Sequence, residues 1–270
     1  MPRPTPPWLS LLAVALALTS AGEALRAAET DSDQLMEVWR LAAQGSFADA
    51  QDALPATSHG AEARFTHAML LFNRQPRSDE NLVTAANLLA ALAREAGPAE
   101  FSARSRYFQA RAELLRDPDS PEAMHLYEQL WRDFPAEPYG QRGLVNLVLG
   151  AFYQTESRDT VLTRVAEIEA QAARLTDPVV RSQFHQVAAR GYLHLGGNDE
   201  RALEHLLQVA ALGVARREAL GDLHVSIGQL AGELGRPDIA REHYTRFLRD
   251  FPNDPRAYTV RAFLAALPAK

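Results

Sequence analysis

From residue 32 to residue 267 the chain repeats one pattern. An apolar stripe at helical spacing runs for two to five turns, then stops at a short cluster of Gly, Pro, Asn, Asp or Ser. No run of β-branched residues alternates with period two, so strands are not expected. The pattern predicts helices at 32–44, 46–54, 60–74, 79–96, 98–116, 120–133, 138–153, 158–174, 178–195, 199–211, 215–234, 237–250 and 255–267. Joints this short cannot carry a parallel crossover, so consecutive helices must run antiparallel. The expected fold is therefore all-α, about six αα-hairpins followed by one closing helix.

Several helix starts carry their own signals. Asp119-Ser120-Pro121-Glu122, Asp177-Pro178 and Arg236-Pro237-Asp238 each place a proline or a capping side chain at a first turn. Between the last two long helices, Gly235 is expected to make the turn, where a positive φ would strain any other residue.

The hairpins are also related in sequence. Ala123, Tyr127, Arg132, Asp133, Phe134, Pro135 and Pro138 recur in the same register as Ala240, Tyr244, Arg249, Asp250, Phe251, Pro252 and Pro255. A weaker copy runs through Tyr192, Gly197, Ala202 and Leu206, one residue longer at its turn, and another through Leu41, Gly45, Ala50 and Leu54. In the clearest copy, Ile227, Gly228, Ala231, Gly235, Ala240, Tyr244, Phe247 and Pro252 fall at the spacing of a repeat of roughly 34 residues. There the chain resembles the tetratricopeptide repeat family, with Ala231 where that family usually has Tyr and His224 where it often has Trp. The hairpins at 60–96 and 138–174 lack the signature and keep only helical periodicity. The resemblance implies a right-handed solenoid of about six such repeats and a capping helix. It also implies that small Gly228 and Ala240 let paired helices approach, while Tyr244 and Phe247 fill the gap to the next pair.

The first 24 residues read as an address. Arg3 supplies a positive start, Trp8 to Ala21 an apolar run, and small residues follow at cleavage positions after Ala21 or Ala24. That run is shorter than the roughly 20 residues a membrane span needs, and Glu23 and Arg26 close it. A secretory signal over 1–24, a linker over 25–30 and a repeat domain over 31–270 are expected, with a mature chain that is periplasmic or secreted and does not span a membrane. Cysteine is absent, which removes disulfides, thiolate metal sites, a cysteine nucleophile and a lipid-attachment site together. The formal charge of −6, without a long run of like charge, gives no footing for nucleic acid.

Nothing in the chain assembles a catalytic pattern: there is no HExxH, no G-x-S-x-G and no phosphate-cradling glycine loop. Gly228 and Gly232 have the spacing of a membrane dimer motif, but Asp222, His224, Gln229 and Glu233 share their helix, so close packing in water explains it better. His185 and His224 occupy one repeat position and are expected to pack with a single ring nitrogen hydrogen-bonded. His205 and His243 each follow a glutamate, Glu204 and Glu242, yet adjacent helical residues point about 100° apart and cannot readily share a metal. No metal and no cofactor are expected.

In tetratricopeptide proteins the first helix of each pair lines a concave face that holds peptide. The resemblance projects that face here onto Arg142, Asn146, Gln186, Arg190, Asp222, Val225 and Gln229. Asn, Gln and Arg can satisfy the backbone of an extended peptide, and the simpler account is an ordinary exposed polar surface. The lysine and asparagine pattern of the chaperone-binding clamps is missing. The Arg-Asp-Phe-Pro phrases at 132–135 and 249–252 are similar to those of bacterial envelope repeat proteins. The expected function is a non-enzymatic scaffold of the bacterial cell envelope that binds a protein or peptide. The alternative is an α/α-repeat envelope enzyme acting on glycans, with acids from several helices around one cleft.

Overall fold

The computed structural model describes residues 34–54, 60–95, 97–153, 156–213 and 217–268. The expected signal segment and linker lie outside these residues. Among the described residues the structure is helical throughout: α1 (34–43), α2 (Phe47–Ala53), α3 (Ala61–Asn73), α4 (Asp79–Arg94), α5 (Ala99–Arg116), α6 (Pro121–Asp133), α7 (Pro138–Tyr153), α8 (Arg158–Glu169), α9 (Pro178–Leu195), α10 (Asp199–Leu212), α11 (Arg217–Glu233), α12 (Pro237–Asp250) and α13 (Ala257–Ala266). These are the helices that the periodicity predicts.

Two compact units divide the chain. One holds α1 to α4 and the last turns of α5 from Arg111. In it α3 packs on α4 and α2 on α3. Val38, Ala50 and Leu70 form a small core under Leu41, Phe47 and Leu54. Arg64 on α3 reaches Glu95 after α4 with two hydrogen bonds of 2.5 and 2.6 Å, and Arg111 lies over the Phe72 ring.

The other unit holds α5 up to Ala110 and α6 to α13 around one continuous apolar core. Its strongest packing is within the hairpins α9/α10 and α11/α12, and between α6 and α7. First helices also stack on one another, α7 against α9. Small residues set these approaches. A Cβ on Gly228 would come within 2.3 Å of the Tyr244 ring, so α11 and α12 close only because Gly228 has none. Gly232, one turn on, faces open space, so the two glycines of this spacing do different things. Gly235 takes φ +68° at the turn, and the longer α9/α10 turn uses two positive values, at Gly196 and Gly197.

Caps act where the sequence places them. Ser120 Oγ accepts from the Ala123 N–H at 3.2 Å, and Asp177 Oδ1 accepts from the N–H groups of Val179 and Val180 at 2.8 and 3.2 Å. One helix is shorter than its periodicity predicts. The 158–174 segment leaves the α-helix at Glu169 and tightens into a 3₁₀ turn over Ala172–Arg174. The indole N–H of Trp131 donates to Gln171 Oε1 at 2.6 Å and Arg174 lies over the same ring, while Leu175 is buried beyond the turn. A continued α-helix would not meet those three contacts together.

Gln141, fully buried near the start of α7, secures that joint. Its Oε1 accepts from the N–H groups of Thr176 and Asp177, both at 2.9 Å, and its Nε2 donates to Thr176 Oγ1 at 2.7 Å. One side chain thus satisfies the backbone just before α9 and holds α9 in place on α7.

Candidate protein-interaction face

The exposed side of the first helices is best defined on α7 and α9. A Cβ on Gly191 would fall 2.1 Å from the Phe152 ring, so α9 lies directly on α7 at this point. One residue further along α7, the ring of Tyr153 sits 5.3 Å from that of His194. This register places Leu149 beside Arg190 and Asn146 beside Gln186, each one helical turn apart along its own helix. The paired stripe is exposed at Leu149, Tyr153, Arg190, Leu193 and His194.

The seven projected residues fall into distinct situations. Arg142 is half-buried, with its guanidinium 4.9 Å from the Tyr139 ring centre. Asn146 turns its amide to the Arg142 carbonyl at 2.9 Å, and Gln186 donates to Ser182 Oγ at 3.3 Å, so both are tied to their own helices. Val225 packs against the core. Asp222 is exposed but accepts from Arg256 at 2.6 Å, and Arg256 is held in turn by Asp254. Arg190 and Gln229 are exposed. Leu149, Tyr153, Leu193 and His194, which the search for polar peptide-binding groups does not single out, are exposed beside Arg190 on the same two helices.

On the other side, second helices flank two cavities. One, of about 490 Å³, lies between α6 and α8 over α7, with Met124, Trp131, Leu147 and Ile168 as apolar walls and Glu128, Arg132, Arg164 and Glu167 around it. The next, of about 340 Å³, lies between α8 and α10 over α9 and is lined by Glu169, His185, Arg201, Glu204, His205 and Gln208. In this second cavity His185 packs with a single ring nitrogen hydrogen-bonded, as expected. His185 meets another histidine, His205, and His205 uses both ring nitrogens, the second on Glu169 and not on its neighbour Glu204. Glu204 pairs with Arg201, which also reaches Glu169 at 2.6 Å. His224 and His243 repeat the arrangement one hairpin later, Nδ1 to Nδ1 at 3.0 Å, both buried.

The electrostatics follow from burial. Burial alone would raise the Glu169 carboxyl, but hydrogen bonds from His205 and Arg201 outweigh it and hold the group below its ordinary value. Burial pushes the His185 imidazole down to about 4, helped by the charges of His205 and Arg181. His243 falls to about 4 through burial and the neighbouring His224. Burial and the Glu169 carboxylate push the Tyr192 hydroxyl up to about 12. His185, His243 and Tyr192 are thus held neutral, while Glu169 stays ionised beside Arg201. Among the described residues, no three His, Asp or Glu side chains are grouped to hold a metal ion. No helix there is long and apolar enough to cross a membrane.

The chain is built of packed helical hairpins. Small residues let paired helices approach, glycines with positive φ turn them, and successive first helices stack. Among solved structures, a thermophilic TPR protein from Thermus thermophilus is similar, with a TM-score of 0.44 and 18% identity over 77% of this chain and 98% of that one. No protein-family model and no curated protein matches the chain.

Proposed function

We propose that this protein is an exported interaction scaffold of the bacterial cell envelope, binding a protein or peptide across the exposed face of its first helices. The observation that carries this reading is the close α7/α9 stack, which leaves Leu149, Tyr153, Arg190 and Leu193 exposed on adjoining helices while their opposite sides fill the core. Large apolar side chains held on packed helices lose little conformational entropy when a partner covers them. Gln229 extends the same face onto α11 through the repeat register that relates His185 to His224. The apolar run from Trp8 to Ala21 supports export. On this reading Arg142, Asn146, Gln186, Asp222 and Val225 shape and stiffen the face, and Arg190 and Gln229 reach the partner.

Site-specific photo-crosslinking tests it. A benzophenone side chain at Leu149 or Gln229 should yield a discrete adduct in cells of the native host, and one at Thr245 or Arg164 on second helices should not. Adducts from the second helices alone would place the function elsewhere. Export is checked separately by mass spectrometry, which should find a mature N-terminus near Gly22 or Leu25.

A further inference from the structure

We infer that the α7/α9 face takes an acidic segment of its partner that also carries a large apolar side chain. This rests on the first-helix reading and adds the chemistry of what is bound. The chain has 34 acidic and 28 basic residues, yet Pro138–Tyr153 and Pro178–Leu195 contain no Asp or Glu at all. The second helices beside them carry acids throughout: Glu128 and Asp133 on α6, Glu167 and Glu169 on α8, Glu200 and Glu204 on α10.

Many arginines elsewhere in this unit are paired. Arg106, Arg164, Arg201, Arg236, Arg246, Arg249 and Arg256 each meet a carboxylate. Among the described residues Arg142 and Arg190 meet none, Arg190 on the exposed stripe and Arg142 half-buried one turn before Asn146. Arg142 is half-buried over Tyr139 with an unpartnered Nε, and Arg190 stands one turn before His194, whose ring meets that of Tyr153. A guanidinium without a local acid, beside exposed leucines and a tyrosine, is matched by a carboxylate a few ångströms from an aromatic or aliphatic side chain. The tyrosine is 58% exposed and Leu193 45%, so the apolar contact is open to a partner.

The test is selection from a displayed library of random dodecapeptides on the purified protein, followed by fluorescence anisotropy of enriched sequences at two salt concentrations. Enriched peptides should combine Asp or Glu with Phe, Tyr, Trp or Leu. Arg190→Glu should weaken them at least tenfold, Arg190→Lys less than about threefold, and Tyr153→Ala about threefold to tenfold. Arg246→Glu on α12 should leave them unchanged. Enrichment of neutral or basic peptides still sensitive to Tyr153→Ala would overturn the acidic preference and leave the first-helix reading standing. Equal binding of a polyglutamate peptide would overturn the apolar requirement. No enrichment, or enriched peptides indifferent to Arg190 and Tyr153, would overturn the inference outright, and the crosslinks at Leu149 and Gln229 would then decide the first-helix reading separately.

Discussion

His185 Nδ1 lies 2.8 Å from His205 Nδ1, and His205 turns its Nε2 to Glu169 Oε1 at the same distance. A carboxylate only accepts, so the Nε2 of His205 carries a hydrogen, and a single hydrogen lies between the two Nδ1 atoms. The second pair, His224 and His243, has the same contact without a hydrogen-bonded carboxylate. Either pair can share one hydrogen, and two protonated rings in this geometry would repel.

Stability should accordingly fall in mild acid. The folded values of His185 and His243 are about 4 against 6.5 for an exposed imidazole, and His224 is lowered as well. Between those values the unfolded chain binds more protons, so stability is fully present above about pH 6.5 and is lost as pH falls toward 4. Arg181, Arg246 and Arg249 push these rings the same way, and Glu169, Glu242 and Asp250 oppose them. The loss should be on the order of 2–4 kcal/mol after allowing for partial solvent screening. Urea melts at pH 7.5 and pH 5 measure it, and a His224→Leu/His243→Leu double variant should show a shallower pH dependence.

Gln141 predicts a large effect from a small change. Gln141→Leu keeps the volume but strips acceptors from the Thr176 and Asp177 N–H groups, and should cost about 2–4 kcal/mol. Chemical denaturation should show it as a lower midpoint at unchanged slope. A cost below about 0.5 kcal/mol would mean that the joint before α9 does not depend on this side chain.

Two helical glycines should respond in opposite directions. A Cβ on Gly140 would fall 1.7 Å from the Phe134 carbonyl oxygen, a backbone atom that cannot move aside without breaking the turn into α7. Gly140→Ala should cost about 2–4 kcal/mol. Gly232 is exposed in α11 with nothing within 4 Å, so Gly232→Ala should stabilise by about 0.5–1 kcal/mol. Thermal melts of the two variants check the contrast.

The helices were legible because their signals are local. Apolar stripes, Ser120 and Asp177 at the caps, and Gly235 at its turn all act within a few residues of themselves. Contacts between distant helices were not legible. Glu204 adjoins His205 in sequence, but the carboxylate on His205 comes from Glu169 on another helix. The α8 segment keeps its helical period through Arg174, and only Trp131 on α6 explains why the helix breaks early. Asp222 reads as a free groove acid until Arg256 is found on it. The acid-free composition of α7 and α9 was present in the sequence, and it acquires meaning once Tyr153 and His194 show the two helices side by side.

The central claim is that partners bind the first helices, and calorimetry on one crosslinked partner tests it most directly. Arg190→Ala should weaken binding about fivefold to thirtyfold, or about 1–2 kcal/mol, with the thermal midpoint nearly unchanged. Arg164→Ala, beside the cavity between the second helices α6 and α8, should leave the affinity unchanged. Loss of binding in Arg164→Ala with none in Arg190→Ala would contradict the account and move the interaction to the second-helix side.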